Sequence, residues 1–317
     1  VDELIELGHD VTLFASGDSR TKGKLHPVLP RALRLGRKGV DPNAACALLI
    51  EAIASRHTDF DIVHSHVDWL PLPLLRRIGV PFVTTMHGRL DLPGFSDAVQ
   101  AFPNAPFVSI SDNQREPLSA ASWIRTVQHG LPVDLFRPGY ERGSYLAFLG
   151  RLTAEKGPHD AIYIARESGL PLRIAAKLPR GETAYFKKHI EPHVDDASVQ
   201  LVGEVDESRK QPFLSEAAAL LFPINWPEPF GLVMIEALAC GTPVIAYRAG
   251  SVPEVIEHGV TGFIVDNAGE AIRAIRDLPR LDRRVIRAKF EERFSAKRMA
   301  KEYEDCYRQL VATIGPA

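Results

Sequence analysis

The chain has 317 residues, 45% of them apolar, and a formal net charge of −2. That length suits two domains, each able to bury its own core, and the near-neutral balance excludes a nucleic acid or other bulk polyanion as partner. No apolar run approaches the ~18 residues of a membrane span, and Cys46, Cys240 and Cys306 are too scattered for a disulfide framework or a paired-cysteine metal site. No secretory signal is visible, so a reducing cytoplasm is the expected compartment.

Residues 1–8 carry helical spacing in Val1, Leu4 and Leu7 and close on Gly8, with neither an initiator Met nor a cap ahead of them. They read as the second half of an element, and the chain is expected to be incomplete at its start. Residues 11–15 read as a strand. Arg20, Lys22, Lys24, Arg31, Arg34, Arg37 and Lys38 then crowd residues 20–38 without one acid. Either this is a solvated loop, or it is a surface for an anionic lipid or a phosphorylated acceptor, giving peripheral contact with the inner membrane face.

Strands and helices alternate from there. Residues 43–57 read as a helix, 62–66 as a strand, 70–78 as a helix and 82–86 as a strand. Residues 106–110 and 126–128 read as further strands around a short helix from Ser111. The second half repeats the rhythm. Strands are expected at 145–149, 172–176, 199–202, 219–223, 244–246 and 261–265, with helices at 160–168, 183–194, 208–217, 231–239, 269–278, 282–293 and 296–312. Such alternation predicts parallel doubly wound sheets, whose ligands bind beyond the strand C-terminal ends.

One stretch carries the chemistry. In Asn225-Trp-Pro-Glu-Pro-Phe-Gly231, two prolines fix the backbone on either side of Glu228, and a helix opens at Gly231. The free amides at Gly231, Leu232 and Val233 form an anion site. Glu228 and Glu236 cannot hold phosphate, since carboxylates only accept, but they can receive hydroxyls. A ligand with hydroxyls at both ends and phosphates between them fits: a nucleotide-sugar.

Glu228-Pro-Phe-Gly followed by Glu236 resembles the paired-glutamate motif of the retaining glycosyltransferases of family 4, and residues 241–266 are similar to the same family. The resemblance implies an α/β, GT-B architecture: two Rossmann-like doubly wound domains facing a cleft. It places an acceptor-side domain at 1–138, a nucleotide-sugar domain at 139–295, and a final helix at 296–317 that crosses back to the first domain. It also implies that the missing beginning is a first strand and a glycine-rich loop.

By the same resemblance, Arg151 and Lys156 hold the donor diphosphate with the helix amides near Gly231, Leu232 and Val233, and the amides of Phe230 and Gly231 help Glu228 with the sugar. Glu228 holds sugar hydroxyls, Glu236 the ribose, and Val205 lies against the base. His87, at a strand end, belongs to the catalytic centre. The implied reaction moves a hexose from a UDP- or GDP-linked sugar to a carbohydrate, lipid or small-molecule hydroxyl, with retention and with no metal or cofactor. His64, His66 and Asp68 alternate as metal ligands do, but no further ligands accompany them, so they read as acceptor contacts or strand-end packing. Asp59 and Asp61 precede a strand and read as a turn. Three rivals stand beside this reading: a nucleotide-binding fragment without turnover, a sugar-nucleotide epimerase of the same architecture, and a phosphorylase, which would require pyridoxal phosphate.

Overall fold

The computed structural model describes residues 1–33, 35 and 40–314. These fall into two compact units. The first takes the described residues of Val1–Ile110, Arg115–Val127 and Ala296–Ala317; the second takes Ser111–Gln114 and Gln128–Ser295.

In chain order the first unit has α1 (Asp2–Glu6), β1 (Thr12–Ser16), β2 (Lys24–Leu29), α2 (Pro42–Ala54), β3 (Val63–Ser65), α3 (Leu72–Leu75), β4 (Phe82–Thr85), α4 (Phe95–Ala101) and β5 (Phe107–Ser109). The short helix α5 (Asp112–Arg115) then leads to β6 (Trp123–Thr126). Strands β3-β4-β5-β6 form one parallel sheet, while β1 and β2 pair with each other in a second. The period of two along β4 and β5 sorts their side chains onto two faces. Phe82 and Phe107 join a cluster with Leu72, Met86 and Val99. Val83 and Val108 face the other way, into a cluster with Val127, Tyr303 and Cys306.

The second unit continues with β7 (Tyr145–Arg151), α6 (Pro158–Ser168), β8 (Leu172–Lys177), α7 (Thr183–His189), β9 (Val199–Gly203), α8 (Glu207–Ser215), β10 (Ala217–Phe222), α9 (Leu232–Ala239), β11 (Val244–Tyr247), α10 (Val252–Val255), β12 (Gly262–Val265), α11 (Ala268–Asp277) and α12 (Arg283–Arg293). Its six strands run parallel in the order β12-β11-β10-β7-β8-β9. The central strands β7 and β10 are almost wholly apolar and buried, as helices on both faces of a parallel sheet require. Side-chain caps start several helices: Asp206 on α8, Asn267 on α11 and Asp282 on α12 each accept a backbone N–H, a contact worth about 1 kcal/mol. The last helix, α13 (Ala296–Ile314), packs Met299, Tyr303, Tyr307 and Leu310 with Val83, Val108 and Val127 of the first unit.

Helix α10 is unforeseen and α3 and α7 are shorter than the residues 70–78 and 183–194 expected for them; three further differences have a visible cause. Strand β2 falls inside the stretch read as a loop; its Pro27 lacks a ladder donor, which β2 tolerates because, among the described residues, it pairs on one side alone, with β1. Helix α4 follows a turn-like Leu-Pro-Gly and is held by tertiary packing of Phe95 and Val99 rather than by length. Strand β6 lies at Trp123–Thr126, three residues earlier than the apolar pattern suggests; the ring of Trp123 packs against Phe107.

Two arginines of α12 tie the second unit together. The half-buried Arg283 donates to the carbonyls of Gly139 (2.6 Å), Ser215 (2.7 Å) and Ala217 (2.9 Å) and to Thr242 Oγ1 (2.7 Å). The buried Arg287 donates to the carbonyls of Val133, Phe136 and Ala239. Replacing Arg283 by Met keeps the aliphatic stem but strands these acceptors. Urea unfolding is expected to show a loss of about 2–4 kcal/mol; a loss below about 0.5 kcal/mol would mean that water satisfies the carbonyls instead.

Candidate functional site

In the six-stranded sheet the chain runs outward in one direction from β7 and in the other from β10. The loops after these adjacent strands therefore leave the same edge and diverge, which opens a crevice between them. The loop after β7 carries Lys156 on a short 3₁₀ turn, Ala154–Lys156, and ends at Gly157. The loop after β10 carries Glu228 and leads to Gly231 at the head of α9.

The two loops touch. Asn225 N–H donates to the Glu155 carbonyl at 3.1 Å. Gly157 has φ +70°, and a Cβ there would stand 2.0 Å from the Pro223 carbonyl oxygen, so no other residue lets the loops approach so closely. Lys156 Nζ is ion-paired with Glu228 Oε2, and both side chains are about six-sevenths buried, with 15% and 13% exposure. The same ammonium lies 4.7 Å from the centroid of the Trp226 ring. A pair this dry holds firmly while intact, and loss of either member leaves the other charge uncompensated.

Glu228 is held from a third side as well. Its carbonyl accepts from Ser251 N–H at 3.0 Å, while Ser251 Oγ donates to the Phe230 carbonyl at 2.8 Å. Gly250 has φ +54°, and a Cβ there would lie 2.3 Å from both the nitrogen and the oxygen of Glu228. The turn that presents this carboxylate is thus packed between two glycine contacts.

Glu236, inside α9, is ion-paired at 2.7 Å with Lys210 of α8, again with little exposure. Sequence reasoning missed Lys210, which sits in a helix of surface composition; the acid it meets across α8 and α9 was its only signal. Phe230 is 2% exposed and meets His129 edge to face at 5.0 Å, so its ring belongs to the core and only its backbone faces the loop. Leu232 is exposed and Val233 half-buried at the first turn of α9. Arg151, the last residue of β7, is exposed and makes one long contact with Glu155, at 3.5 Å. Its register partner on β8 is Lys177, equally exposed.

Val205, after β9, is two strands or about 10 Å out from β7. It lines an open hollow of about 240 Å³ with Tyr145, Arg173 and Phe213. The structure thus brings Lys156, Glu228 and the head of α9 together, with Glu236 further along that helix and Val205 on the flank.

His87 lies in the first unit, just after β4, within a cluster of polar rings. His64 of β3 meets Tyr307 Oη through Nδ1 and Thr85 Oγ1 through Nε2, both at 2.7 Å. Thr85 Oγ1 in turn meets Tyr303 Oη at 3.0 Å. His66 stacks on His64 with centroids 4.1 Å apart, and its Nδ1 meets His87 Nε2 at 2.9 Å. Burial holds His64 well below the usual histidine pKa. His66 and His87 are lowered too, chiefly by burial of their rings in the cluster and, for His66, by the neighbouring His87, although both residues still reach solvent. Asp68 has φ +49°, and its pKa is raised by burial. Among the described residues no set of three His, Cys, Asp or Glu side chains is arranged to hold a metal. Asp59 ends a 3₁₀ turn and pairs with Arg56.

Of the basic stretch, Arg34, Arg37 and Lys38 lie outside the described residues. Lys22 and Lys24 are paired with Glu6, the last residue of α1, and with Asp10, just before β1. Among the described residues no helix is long and apolar enough to cross a membrane.

Two outcomes are expected. Gly250→Ala forces the Glu228 turn outward and is expected to cost about 2–4 kcal/mol in urea unfolding; an unchanged midpoint would show that the turn yields freely. The second concerns pH. His64 is neutral in the fold but titrates near 6.5 when unfolded, so below that value the unfolded chain binds more protons. Stability is then full above pH 6.5 and falls as pH drops, by at most about 1.4 kcal/mol per unit from this residue. Unfolding curves between pH 8 and 5 should show that slope, flattened in His64→Gln.

Comparison with known proteins gives these elements their family. The profile described as "Glycosyl transferases group 1" matches residues 137–295, and "Glycosyltransferase Family 4" matches residues 1–123. The D-inositol 3-phosphate glycosyltransferase of Mycobacterium leprae (strain Br4923) is 30% identical over 274 residues, 70% of this chain and 61% of that protein. This chain therefore spans about three fifths of that relative's length. The protein of the same name from Mycolicibacterium paratuberculosis is 29% identical over 325 residues, 83% of this chain and 71% of its own. Among solved structures, a glycosyltransferase involved in avilamycin A biosynthesis aligns with a TM-score of 0.74 at 24% identity, over 98% of this chain and 87% of its own. The sucrose-phosphate synthase of Thermosynechococcus elongatus gives 0.75 at 20%, over 98% and 92%. The Anabaena protein HepE, solved with UDP, gives 0.71 at 18%, over 85% of each chain. The structural likenesses establish the fold and the profiles establish the kinship: the chain belongs to the group 1 glycosyltransferases of family 4, with the two Rossmann-like domains of the GT-B fold.

Proposed function

We propose that this chain transfers a hexose from a UDP- or GDP-linked sugar to a hydroxyl of a carbohydrate, lipid or small-molecule acceptor, with retention at the anomeric carbon and without a divalent metal. The observation that carries this reading is the meeting of Lys156, Glu228 and the head of α9 at the crevice between β7 and β10. HepE, a structural neighbour, has been solved with UDP-glucose.

On this reading Lys156, Arg151 and the amides of Phe230 to Val233 receive the diphosphate and stabilise the charge that grows on it as the bond to the anomeric carbon breaks. Glu228 accepts hydrogen bonds from the sugar hydroxyls, and Glu236 from the ribose. Val205 lies outward along the sheet, where a nucleobase attached to that ribose reaches. The acceptor oxygen attacks on the face the diphosphate leaves, and its proton passes to a diphosphate oxygen. Glu228, already bonded to Lys156, serves as a hydrogen-bond acceptor and not as a nucleophile. His87 contacts the transferred sugar and the acceptor. The three free cysteines suit a reducing, cytoplasmic setting. Peripheral membrane contact falls to residues 20–38, within which Lys22 and Lys24 also form exposed pairs with Glu6 and Asp10.

The test is calorimetric titration with UDP, GDP and ADP in EDTA, followed by NMR of the product sugar. One nucleotide should bind, with affinity about tenfold or more lower in Glu236→Ala and in Lys156→Ala. A folded chain that binds none of the three overturns the donor site. Binding that needs added metal sinks the metal-free route, and an inverted product sinks retention.

A further inference from the structure

The histidine cluster of the first unit has a layered construction. At its base, His64 has both ring nitrogens in 2.7 Å contacts, with Tyr307 Oη of α13 and Thr85 Oγ1 of β4. A ring bonded at both nitrogens cannot rotate without losing both contacts. His66 stacks on this fixed ring, centroids 4.1 Å apart and planes inclined by 36°. It then reaches His87 through a single contact, Nδ1 to Nε2, at 2.9 Å, with the two rings inclined by 33°.

The chemistry of that contact is restrictive. Both rings are held below the ordinary histidine pKa, so at neutral pH the contact joins two neutral imidazoles. A neutral imidazole carries one N–H and one bare nitrogen. Where two such nitrogens meet at 2.9 Å, one donates and the other accepts. If His87 Nε2 accepts, its Nδ1 carries the proton; if Nε2 donates, Nδ1 is the acceptor. Either way the two rings are coupled: the position of the proton on one sets its position on the other.

We infer that His66 is a positioning residue for His87, holding the plane of its ring and coupling its tautomer to that of His66 through the Nδ1–Nε2 hydrogen bond. The inference rests on the reading that His87 contacts the reacting groups. His66 itself touches neither sugar nor acceptor in this scheme; it acts through its neighbour.

Three substitutions separate the parts. His66→Phe keeps a flat ring to stack on His64 but removes the bond. His66→Asn places an amide where Nδ1 stood and restores it, while His66→Gln carries its amide too far out and does not. Long-range ¹H–¹⁵N spectra of the imidazole nitrogens read the tautomer of His87 directly. The expected result is the same His87 ¹⁵N signals in the unsubstituted protein and in His66→Asn, and shifted signals in His66→Phe and His66→Gln. In kinetics, His66→Phe and His66→Gln should lower kcat about ten- to a hundredfold, leave the KM for the donor unchanged, and be rescued by Asn.

Identical His87 signals in the unsubstituted protein, His66→Phe and His66→Gln overturn the inference. Should His66→Phe fail to fold, His66→Gln against His66→Asn decides alone. A His87→Ala protein with full turnover counts against the catalytic reading of His87, and the spectra then still decide whether His66 holds the ring.

Discussion

The strand order of the second unit is the constraint on which its chemistry depends. Six parallel strands can bring two loops face to face at one edge only where the winding reverses, and here that is between β7 and β10. Everything proposed for the donor is carried by those two loops and the helix that follows one of them. Two glycines hold the loops at contact distance: the one at 157, which lets them meet, and the one at 250, which backs the Glu228 turn. Neither touches the crevice chemistry, yet each limits where Glu228 stands.

The first unit follows a different logic. Its four-stranded sheet is sorted by the period of two into one face against α3 and α4 and another against α13. Because α13 closes the second face, its two tyrosines reach the polar end of β3 and β4 and meet His64 and Thr85 there. A helix that looks purely structural in sequence thereby supplies the hydrogen bonds at the base of the histidine cluster. Packing and site geometry are the same contact seen from two sides.

Much of this was legible from the residues. The uninterrupted apolar runs of β7 and β10, the prolines around Glu228 and the glycine that opens α9 read directly, because each is a local rule with a local cause. Elements decided by tertiary contact did not. Strand β2 carries a proline and two charged or polar residues that signal a loop, and it forms because, among the described residues, it pairs on one side alone, with β1. Helix α4 has two turns and no cap; what stabilises it is a cluster assembled from residues far along the chain. Lys210 and the His66–His87 contact fall in the same class, since partners 26 and 21 residues apart leave no periodic trace.

The pairing of Lys156 with Glu228 bears on how such a site selects its ligand. Phosphate competes for the ammonium and hydroxyls compete for the carboxylate, but the two are already joined in a pocket where each is about 15% exposed or less. A free phosphate that takes the lysine leaves the carboxylate uncompensated, and a free sugar that takes the carboxylate does the same to the lysine. Only a ligand presenting both groups at the right separation replaces the two halves of the pair together. On the proposed reading, an intact nucleotide-sugar is thus favoured over its fragments by the cost of breaking one ion pair, a discrimination that needs no additional contact.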